Sequence, residues 1–209
     1  MPNLATSLAK SQRTIASYEG YADQYSRNVA QIPGPEEDAA LRNVASIAGN
    51  GGHILEIGSG PGWEADFLET LGVSVRRTDA TRRFLEIQAA RGKKGDILNV
   101  ITDELGGPYD AVVAMCVLIH VPRRQIDQVL RKIAAALRPD GAFLVSMRDG
   151  EGESYGKYHT VYWRRDDFIA RMAAAGLTIQ WERFSSDEDD MQWHTFLARR
   201  FLVGRSSQS

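Results

Sequence analysis

Three glycines at alternate positions, Gly58, Gly60 and Gly62, directly follow a compact apolar run that ends at Ile57. Glycine tolerates positive φ angles and lets a ligand approach the backbone closely. A helix that begins at Trp63 would add free backbone N–H groups and the positive end of its dipole. The spacing therefore predicts a binding site for a nucleotide-type ligand, and the alternative is a tight turn without any ligand.

The residues around this loop restrict which ligand it can bind. A dinucleotide fingerprint needs a third glycine three positions after the second, and Trp63 stands there instead. A phosphate-binding P-loop would end in Gly-Lys-Ser/Thr, which is missing here. Trp63 blocks a pyrophosphate but tolerates an uncharged thioether, and Glu56 would repel phosphate and attract an ammonium group. Because Glu56 lies in an otherwise buried strand, its carboxylate is expected to have a partner.

With these features, the chain resembles the class I S-adenosylmethionine-dependent methyltransferases of the small-molecule type. Their first motif, an acidic residue, any residue and then Gly-x-Gly-x-Gly, is matched by Glu56 and the three glycines. The resemblance implies that the loop wraps the methionine part of S-adenosylmethionine, that Asp79 holds the ribose hydroxyls, and that Asp96 lies near the adenine amino group. The implied cofactor contacts are Tyr25, Glu56, Gly58, Ser59, Gly60, Gly62, Asp79, Ala80, Asp96, Ile97 and Cys116.

Both aspartates also have simpler interpretations. The two oxygens of one carboxylate can pair with two vicinal hydroxyls, which suits Asp79 to a ribose. The alternative for Asp79 is an N-cap on a surface helix before Arg82. The alternative for Asp96 is a solvated loop acid. The pairs Arg76–Arg77 and Arg82–Arg83 are expected to be solvated charges.

Helices and strands alternate from residue 51 onward, which predicts a parallel sheet with helices on both faces. Apolar runs predict strands at His53–Ile57, Val73–Thr78, Lys94–Leu98, Tyr109–Met115 and Ala142–Met147. Helical spacing predicts helices at Trp63–Leu71, Arg82–Arg91, Arg123–Leu137 and Asp166–Ala175. The extended segments Leu177–Trp181 and Trp193–Ala198 then predict a hairpin that places one antiparallel strand in the sheet.

The predicted fold is therefore α/β, a doubly wound, mostly parallel seven-stranded sheet with a C-terminal antiparallel hairpin strand and an N-terminal helical cap. The expected domains are a helical cap over residues 1–50 and an S-adenosylmethionine-binding methyltransferase domain over residues 51–200. Residues 201–209 are expected to form a frayed tail.

His120 lies just beyond the fourth predicted strand, at the sheet edge where open α/β folds hold their sites. An imidazole that titrates near neutral pH can serve as a general base, so His120 is the catalytic candidate. The alternatives for His120 are contact with substrate or cofactor and a structural role. Cys116 is expected to pack rather than react. The four histidines are scattered without ligand spacing, so no metal is expected.

Tyr18, Tyr21 and Tyr25 are spaced to share one face of a helix. The resemblance implies that this helix closes over the cofactor and excludes water; the alternative is a docking stripe against the sheet. The glycine-rich segment Asp149–His159 is predicted to be a lid or substrate loop, with a plain solvated loop as the alternative. The substrate-binding candidates are Tyr18, Tyr21, His120, Tyr155, Tyr158 and His159.

The bulk composition restricts partners and location. The 209 residues carry a net charge of −2, which gives no general attraction for nucleic acid or an anionic membrane. Cys116 is the single cysteine, so no intrachain disulfide can form. The chain shows neither a secretory pattern nor an apolar run long enough for a membrane helix, and a cytoplasmic location is expected.

The small cap favours a small-molecule acceptor, bound by a monomer or a homodimer. The run Ala114-Met115-Cys116-Val117 lacks the Pro-Pro of nucleic-acid amino methyltransferases. The expected reaction is methyl transfer from S-adenosylmethionine to an oxygen or nitrogen atom of a metabolite. Tyrosine rings would suit an amine through cation–π contact, whereas Lys157 would suit a carboxylate. The alternatives are a non-catalytic S-adenosylmethionine-binding module, a peptide or protein carboxyl methyltransferase, and a nucleotide-dependent oxidoreductase.

Overall fold

The computed structural model describes residues 4–187 and 189–201. Its strands are β1 (His53–Ile57), β2 (Ser74–Asp79), β3 (Gly95–Ile97), β4 (Tyr109–Ala114), β5 (Leu137–Arg148), β6 (Glu153–Tyr155), β7 (His159–Val161), β8 (Leu177–Ser186) and β9 (Gln192–Arg200). Its α-helices are α1 (Leu4–Glu19), α2 (Ala22–Asn28), α3 (Pro35–Ala48), α4 (Trp63–Thr70), α5 (Arg82–Ala90), α6 (Ile126–Ala136) and α7 (Arg165–Ala174). A 3₁₀ turn covers Leu118–His120.

Seven strands form the main sheet in the order β3-β2-β1-β4-β5-β9-β8. The pairs from β3 to β5 are parallel, and β9 runs antiparallel to both β5 and β8. The predicted doubly wound sheet with one antiparallel C-terminal strand is thereby confirmed. The chain reverses its direction of winding between β1 and β4, so their carboxyl ends border a crevice where ligands bind in open α/β sheets.

Helices cover both faces of this sheet because each presents one apolar stripe to it. On α6 the residues Ile126, Val129, Leu130 and Ile133 are fully buried, as their spacing predicts. On the opposite face, the apolar residues of α3, including Leu41 and Val44, pack with strand residues such as Ile54, Val113 and Leu144. Each such leucine or isoleucine contributes about 1.5–3 kcal/mol through burial, which fixes the sheet beneath the site.

The N-terminal fifty residues divide between two places. The single helix expected to carry Tyr18, Tyr21 and Tyr25 is instead two helices, α1 and α2, with a break at Gly20 and Tyr21. Glycine weakens a helix interior because it has more backbone freedom to lose. Only α1 and α2 lie over the carboxyl edge of the sheet, whereas α3 belongs to a helical layer on its face. The domain boundary near residue 50 stays a prediction, and of the predicted tail, residues 202–209 lie outside the described part of the chain.

The segment predicted as a lid or a solvated loop contains regular structure. β6 and β7 form an antiparallel hairpin in which Glu153 pairs with Val161 and Tyr155 pairs with His159. Thr160 and Val161 are buried, so the second strand of the hairpin is anchored while its turn faces outward. Of the described helices, none combines the length and apolar character needed to cross a bilayer.

Candidate functional site

A cavity that opens to solvent lies at the carboxyl edge of the sheet beneath α1 and α2, and the space between its walls, including the open mouth, is about 780 Å³. Concave sites of this kind are where proteins bind small molecules and cofactors. The cavity brings together eight residues that the sequence singles out, namely Tyr18, Tyr25, Gly58, Gly60, Asp79, Ala80, Cys116 and His120. The remaining candidates lie behind or beside it.

The three loop glycines have different reasons to be glycine. All have positive φ, at 69° for Gly58, 49° for Gly60 and 85° for Gly62. A Cβ on Gly58 would lie 2.4 Å from Cγ2 of Val117, and one on Gly62 would meet Gln88 and Arg77. A Cβ on Gly60 would meet only the Tyr25 ring, at 4.0 Å. The open space next to the backbone is therefore at Gly60, and a ligand can approach the chain there.

Two buried side chains hold the loop from behind. Nε2 of Gln88 donates to Oγ of Ser59 at 2.9 Å and to the carbonyl of Gly60 at 2.8 Å. Nη1 of Arg77 donates to the carbonyl of Gly62 at 3.2 Å. The Ser59 hydroxyl and the Gly62 carbonyl therefore face the protein interior rather than the cavity. Sequence patterns gave no signal for the role of Gln88.

Arg77 is not the solvated charge that the sequence predicts, and that prediction is wrong. It is 2% exposed and pairs with Asp66 and Glu69, each at 2.8 Å. Arg77 belongs to β2, where its side chain passes beneath the first turn of α4. A buried guanidinium needs such partners, because an unpaired charge in the interior is strongly unfavourable. The ion pairs therefore join β2 to α4 directly below the glycine loop.

Asp79 ends β2 and faces the cavity. Its Oδ2 accepts the N–H of Gly60 at 2.9 Å, and its Oδ1 accepts the N–H of Thr81 at 2.7 Å. Burial raises the pKa of the Asp79 carboxyl, and the N–H groups of Thr81 and Gly60 oppose that rise. Each carboxylate oxygen can accept further hydrogen bonds, so Asp79 has acceptor capacity left for two hydroxyls.

The structure does not bring Asp96 or Ile97 into the cavity. Oδ2 of Asp96 pairs with Nε of Arg76 at 3.0 Å, on the outer side of β3, and Ile97 is 47% exposed. The next residues, Leu98 and Asn99, line the cavity instead. β3 ends at Ile97, so the residues that border the cavity are those beyond the carboxyl end of the strand rather than those within it.

Glu56 lies behind the loop, only 3% exposed. Contrary to expectation, its Oε2 has no hydrogen-bond partner among the described residues. Burial, followed by the nearby Glu64, raises the pKa of the Glu56 carboxyl well above its ordinary value. Oε2 of Glu56 is therefore a buried oxygen behind the loop that could accept a hydrogen bond from a ligand's N–H group, which a phosphate does not offer.

The chain turns sharply after β4. Cys116 has a φ of 57°, an uncommon value for a residue with a side chain. Its N–H donates to Oγ of Ser146 on β5 at 2.7 Å. Although Cys116 is exposed to the cavity, the surrounding protein raises the pKa of its thiol to about 11. It lines the site as a neutral thiol, and the turn seats Val117 against Gly58.

His120 is held at both ring nitrogens. Its Nδ1 lies 2.7 Å from the carbonyl oxygen of His159, and its Nε2 lies 3.1 Å from Oη of Tyr18. A carbonyl only accepts, so Nδ1 carries the proton and the Tyr18 hydroxyl donates to Nε2. Burial lowers the pKa of His120 to about 4, which leaves a neutral imidazole at physiological pH.

Tyrosine rings cover the cavity. Tyr18, Tyr21, Tyr25 and Tyr158 form a tyrosine cluster in which Tyr158 stacks on Tyr18 at 4.4 Å. Edge contacts join Tyr25 to Tyr18 at 5.9 Å and to Tyr21 at 6.3 Å. Burial raises the pKa of Tyr18 and of Tyr25, so both phenols remain neutral. Tyr25 lies at the inner end of the cluster, next to Gly60.

Tyr155 and His159 lie outside the cavity and connect the hairpin to α1. Nε2 of His159 and Nζ of Lys10 both approach Oε2 of Glu153, at 3.0 Å and 2.8 Å. Tyr155 is 60% exposed and joins the same group of side chains. The hydrogen bonds of Lys10, Tyr155 and His159 lower the pKa of Glu153 to about 2, against its burial. The side chain of His159 is structural, while its carbonyl orients His120.

A second set of contacts fixes the cap to α5. The carboxylate of Glu19 accepts the N–H of Arg82 at 2.7 Å and that of Arg83 at 3.0 Å. These are free N–H groups at a helix N-terminus, where a carboxylate is favourable. Arg83 also pairs with Asp23 at 2.8 Å. In the part of the chain that the structure describes, no cluster of His, Cys, Asp or Glu could hold a metal ion.

The chain matches a family model described as a methyltransferase domain over residues 21–196. No curated protein matches it. Among solved structures, it is similar to the 1,6-didemethyltoxoflavin-N1-methyltransferase of Burkholderia thailandensis, solved with 1,6-didemethyltoxoflavin and S-adenosylhomocysteine, at 18% identity and a TM-score of 0.72. That likeness covers 97% of this chain and 93% of the other.

Two further structures show how widely this fold is used. The CcbJ methyltransferase of Streptomyces caelestis is 18% identical, with a TM-score of 0.73, over 91% of this chain and 99% of the other. The [4+2]-cyclase SpnF is 16% identical, with a TM-score of 0.63, over 79% and 81%. At these identities the likeness shows the shared fold, and a fold alone does not decide the reaction.

Proposed function

The chain belongs to the methyltransferase domain family, and on that premise we propose that it transfers a methyl group from S-adenosylmethionine to an oxygen or nitrogen atom of a small-molecule metabolite. The observation that carries the proposal is the cavity in which the open backbone of Gly60 and the carboxylate of Asp79 face one ligand volume. The unpartnered Oε2 of Glu56 behind the loop supports a ligand that carries a hydrogen-bond donor, such as an amino group.

The residues present fit the cofactor along the length of the cavity. The loop at Gly58 and Gly60 would hold the methionine part, and Asp79 would hold the ribose hydroxyls. Leu98 and Asn99, in the place expected for Asp96, would border the adenine. When bound, S-adenosylmethionine supplies an activated methyl group on a sulfonium leaving group.

The protein's own groups would orient the acceptor and exclude water. α1, α2 and the tyrosine cluster cover the cavity, which favours an acceptor small enough to fit beneath them. His120 presents a neutral imidazole whose Nε2 already accepts a proton donor, the Tyr18 hydroxyl. An acceptor hydroxyl or amine in the place of Tyr18 would find the same hydrogen-bond-accepting nitrogen, so His120 is our candidate for orienting the acceptor and taking up its proton. Burial lowers the pKa of His120 to about 4 rather than leaving it near neutrality, which makes the imidazole a weak base.

Calorimetric titration with S-adenosylhomocysteine, beside NADH, tests the proposal. We expect micromolar binding of S-adenosylhomocysteine and none of NADH. Preference for NADH would overturn the proposal in favour of an oxidoreductase. Transfer of labelled methyl from S-adenosylmethionine, first to a metabolite extract and then to peptides, would test the acceptor. Cofactor binding with label appearing only on peptide carboxyls would contradict the small-molecule acceptor, and cofactor binding with no transfer at all would support a binding module.

A further inference from the structure

Lys157 lies in the turn of the β6–β7 hairpin with its ammonium group on an aromatic ring. Its Nζ is 3.1 Å from the centroid of the Tyr21 ring and 5.4 Å from that of Tyr158. Lys10 and Lys93 both pair with carboxylates, but within the described residues Lys157 has no carboxylate in salt-bridge range. The negative face of a tyrosine ring attracts a cation at such distances.

This ring belongs to a continuous surface that reaches the cavity. Tyr21 contacts Tyr25 at 6.3 Å between ring centroids, and Tyr25 is the side chain that lies opposite Gly60. Tyr158 stacks on Tyr18, which itself lines the cavity. The face of the Tyr21 ring that holds the Lys157 ammonium, hereafter the ammonium seat, is therefore the outer end of the tyrosine cluster. The cavity lies at the inner end of the cluster, next to Tyr25.

Two further observations indicate that the lysine and the Tyr158 ring are not locked in place by other contacts. The Oη of Tyr158 is buried and has no hydrogen-bond partner in the described part of the chain, although a buried hydroxyl ordinarily finds one. The turn that carries Lys157 is exposed, and a Cβ on the neighbouring Gly156 would touch nothing within 4 Å. The lysine can therefore leave the ring without displacing packed structure.

We propose that the Tyr21 face of the tyrosine cluster binds an aliphatic ammonium group of the methyl acceptor, and that Lys157 is the internal cation that occupies this seat until the acceptor arrives. The inference rests on the proposed function, because it assigns the acceptor class of that same site. The acceptor is then a small molecule that bears an ammonium group.

Choline serves as the probe cation, and 3,3-dimethyl-1-butanol, its neutral carbon analogue, is the matched control. Both are titrated into the protein saturated with S-adenosylhomocysteine. We expect the wild type to bind choline more tightly than the alcohol, and Lys157→Gln to bind choline about tenfold more tightly than the wild type because the seat is vacated. Adding Tyr21→Leu to Lys157→Gln should abolish the gain, whereas adding Tyr21→Phe should keep it.

Lys157→Arg retains an internal cation, so it should bind choline no more tightly than the wild type. Equal binding of choline and the neutral alcohol in Lys157→Gln would overturn the inference, as would acetate binding that Lys157→Gln weakens. Titration of each variant with S-adenosylhomocysteine separates the two proposals. Normal cofactor affinity without cation discrimination refutes only the ammonium seat, while a wild type that binds no S-adenosylhomocysteine refutes the proposed function.

Discussion

The N–H of Gly60 donates to Oδ2 of Asp79 across 2.9 Å, so the glycine loop and the acid at the end of β2 are one hydrogen-bonded unit. Asp79 thereby shapes the loop before any ligand arrives, and its remaining lone pairs face the cavity. The same carboxylate also accepts the N–H of Thr81 at 2.7 Å, which fixes its rotamer at the start of α5. This coupling makes Asp79 the side chain whose loss should affect cofactor binding most.

We predict that Asp79→Ala weakens binding of S-adenosylhomocysteine by at least about tenfold, since hydrogen bonds to a charged group contribute about 1.5–3 kcal/mol each. His120→Ala should have a smaller effect on this affinity. Asp96→Ala is the matched control, because Asp96 pairs with Arg76 outside the cavity. Calorimetry that finds Asp96→Ala as damaging as Asp79→Ala would contradict this assignment of the two acids.

The loop glycines should separate folding from binding. Gly60→Ala places a methyl group in the open space near Tyr25, where it would occupy the ligand's place, so we expect loss of S-adenosylhomocysteine binding. Because Gly60 has a φ of 49°, alanine there should also lower the unfolding free energy by about 1 kcal/mol. Gly58→Ala collides with Val117 and should destabilise the fold more. Val117→Ala in the Gly58→Ala background should restore part of that stability. Urea unfolding and calorimetry of the four proteins check this, and a Gly60→Ala variant with full affinity would count against a ligand at the loop.

Removal of the Arg77 guanidinium should destabilise the protein more than removal of Arg76, the other arginine on β2. We expect Arg77→Met to lower the unfolding free energy by about 3 kcal/mol, because Asp66 and Glu69 lose a buried partner. Arg76→Met is the control, since Arg76 is partly exposed, pairs with the exposed Asp96 and also donates to the carbonyl of Leu105 and to Oη of Tyr109; its loss should cost about 1–2 kcal/mol. Equal midpoints of urea unfolding for the two variants would show that burial of Arg77 contributes little.

His120 and Glu64 should make the unfolding free energy depend on pH in opposite directions. Burial lowers the pKa of His120 from 6.5 to about 4 and raises that of Glu64 from 4.5 to about 7. Between these values the unfolded chain holds the extra proton at His120, so the stability from neutral His120 is present above pH 6.5 and is lost as the pH falls toward 4. At Glu64 it is the folded chain that holds the extra proton, so the stability contributed by the neutral Glu64 carboxyl is lost as the pH rises from 4.5 to 7.

Relative to His120→Asn, the wild type should therefore lose about 1 kcal/mol of unfolding free energy for each pH unit of acidification below pH 6. Relative to Glu64→Gln, the wild type should gain stability over the same interval. Urea unfolding of the three proteins at about pH 7, 6 and 5 measures both differences. Parallel pH profiles for the wild type and His120→Asn would show that the imidazole is not held neutral in the folded protein.

The sequence by itself determined the sheet, its helices and the glycine loop, because each depends on periodicity and turn chemistry within a short segment. The strand from His53 to Ile57 was predicted residue for residue, and so was the turn that follows it. Eight predicted site residues also lie together on one cavity, since parallel strands bring their carboxyl ends to one edge.

Tertiary structure decided what those residues touch. Tyr18 meets His120 across 102 positions of the chain, and Lys10 meets Glu153 across 143; no local pattern encodes such pairs. Arg77, whose sequence context indicates a surface charge, is likewise buried and forms ion pairs that join β2 to α4. The face of a strand on which a side chain lies depends on register, which is set by packing against neighbouring elements. For that reason Asp79 faces the ligand volume while Asp96 faces away.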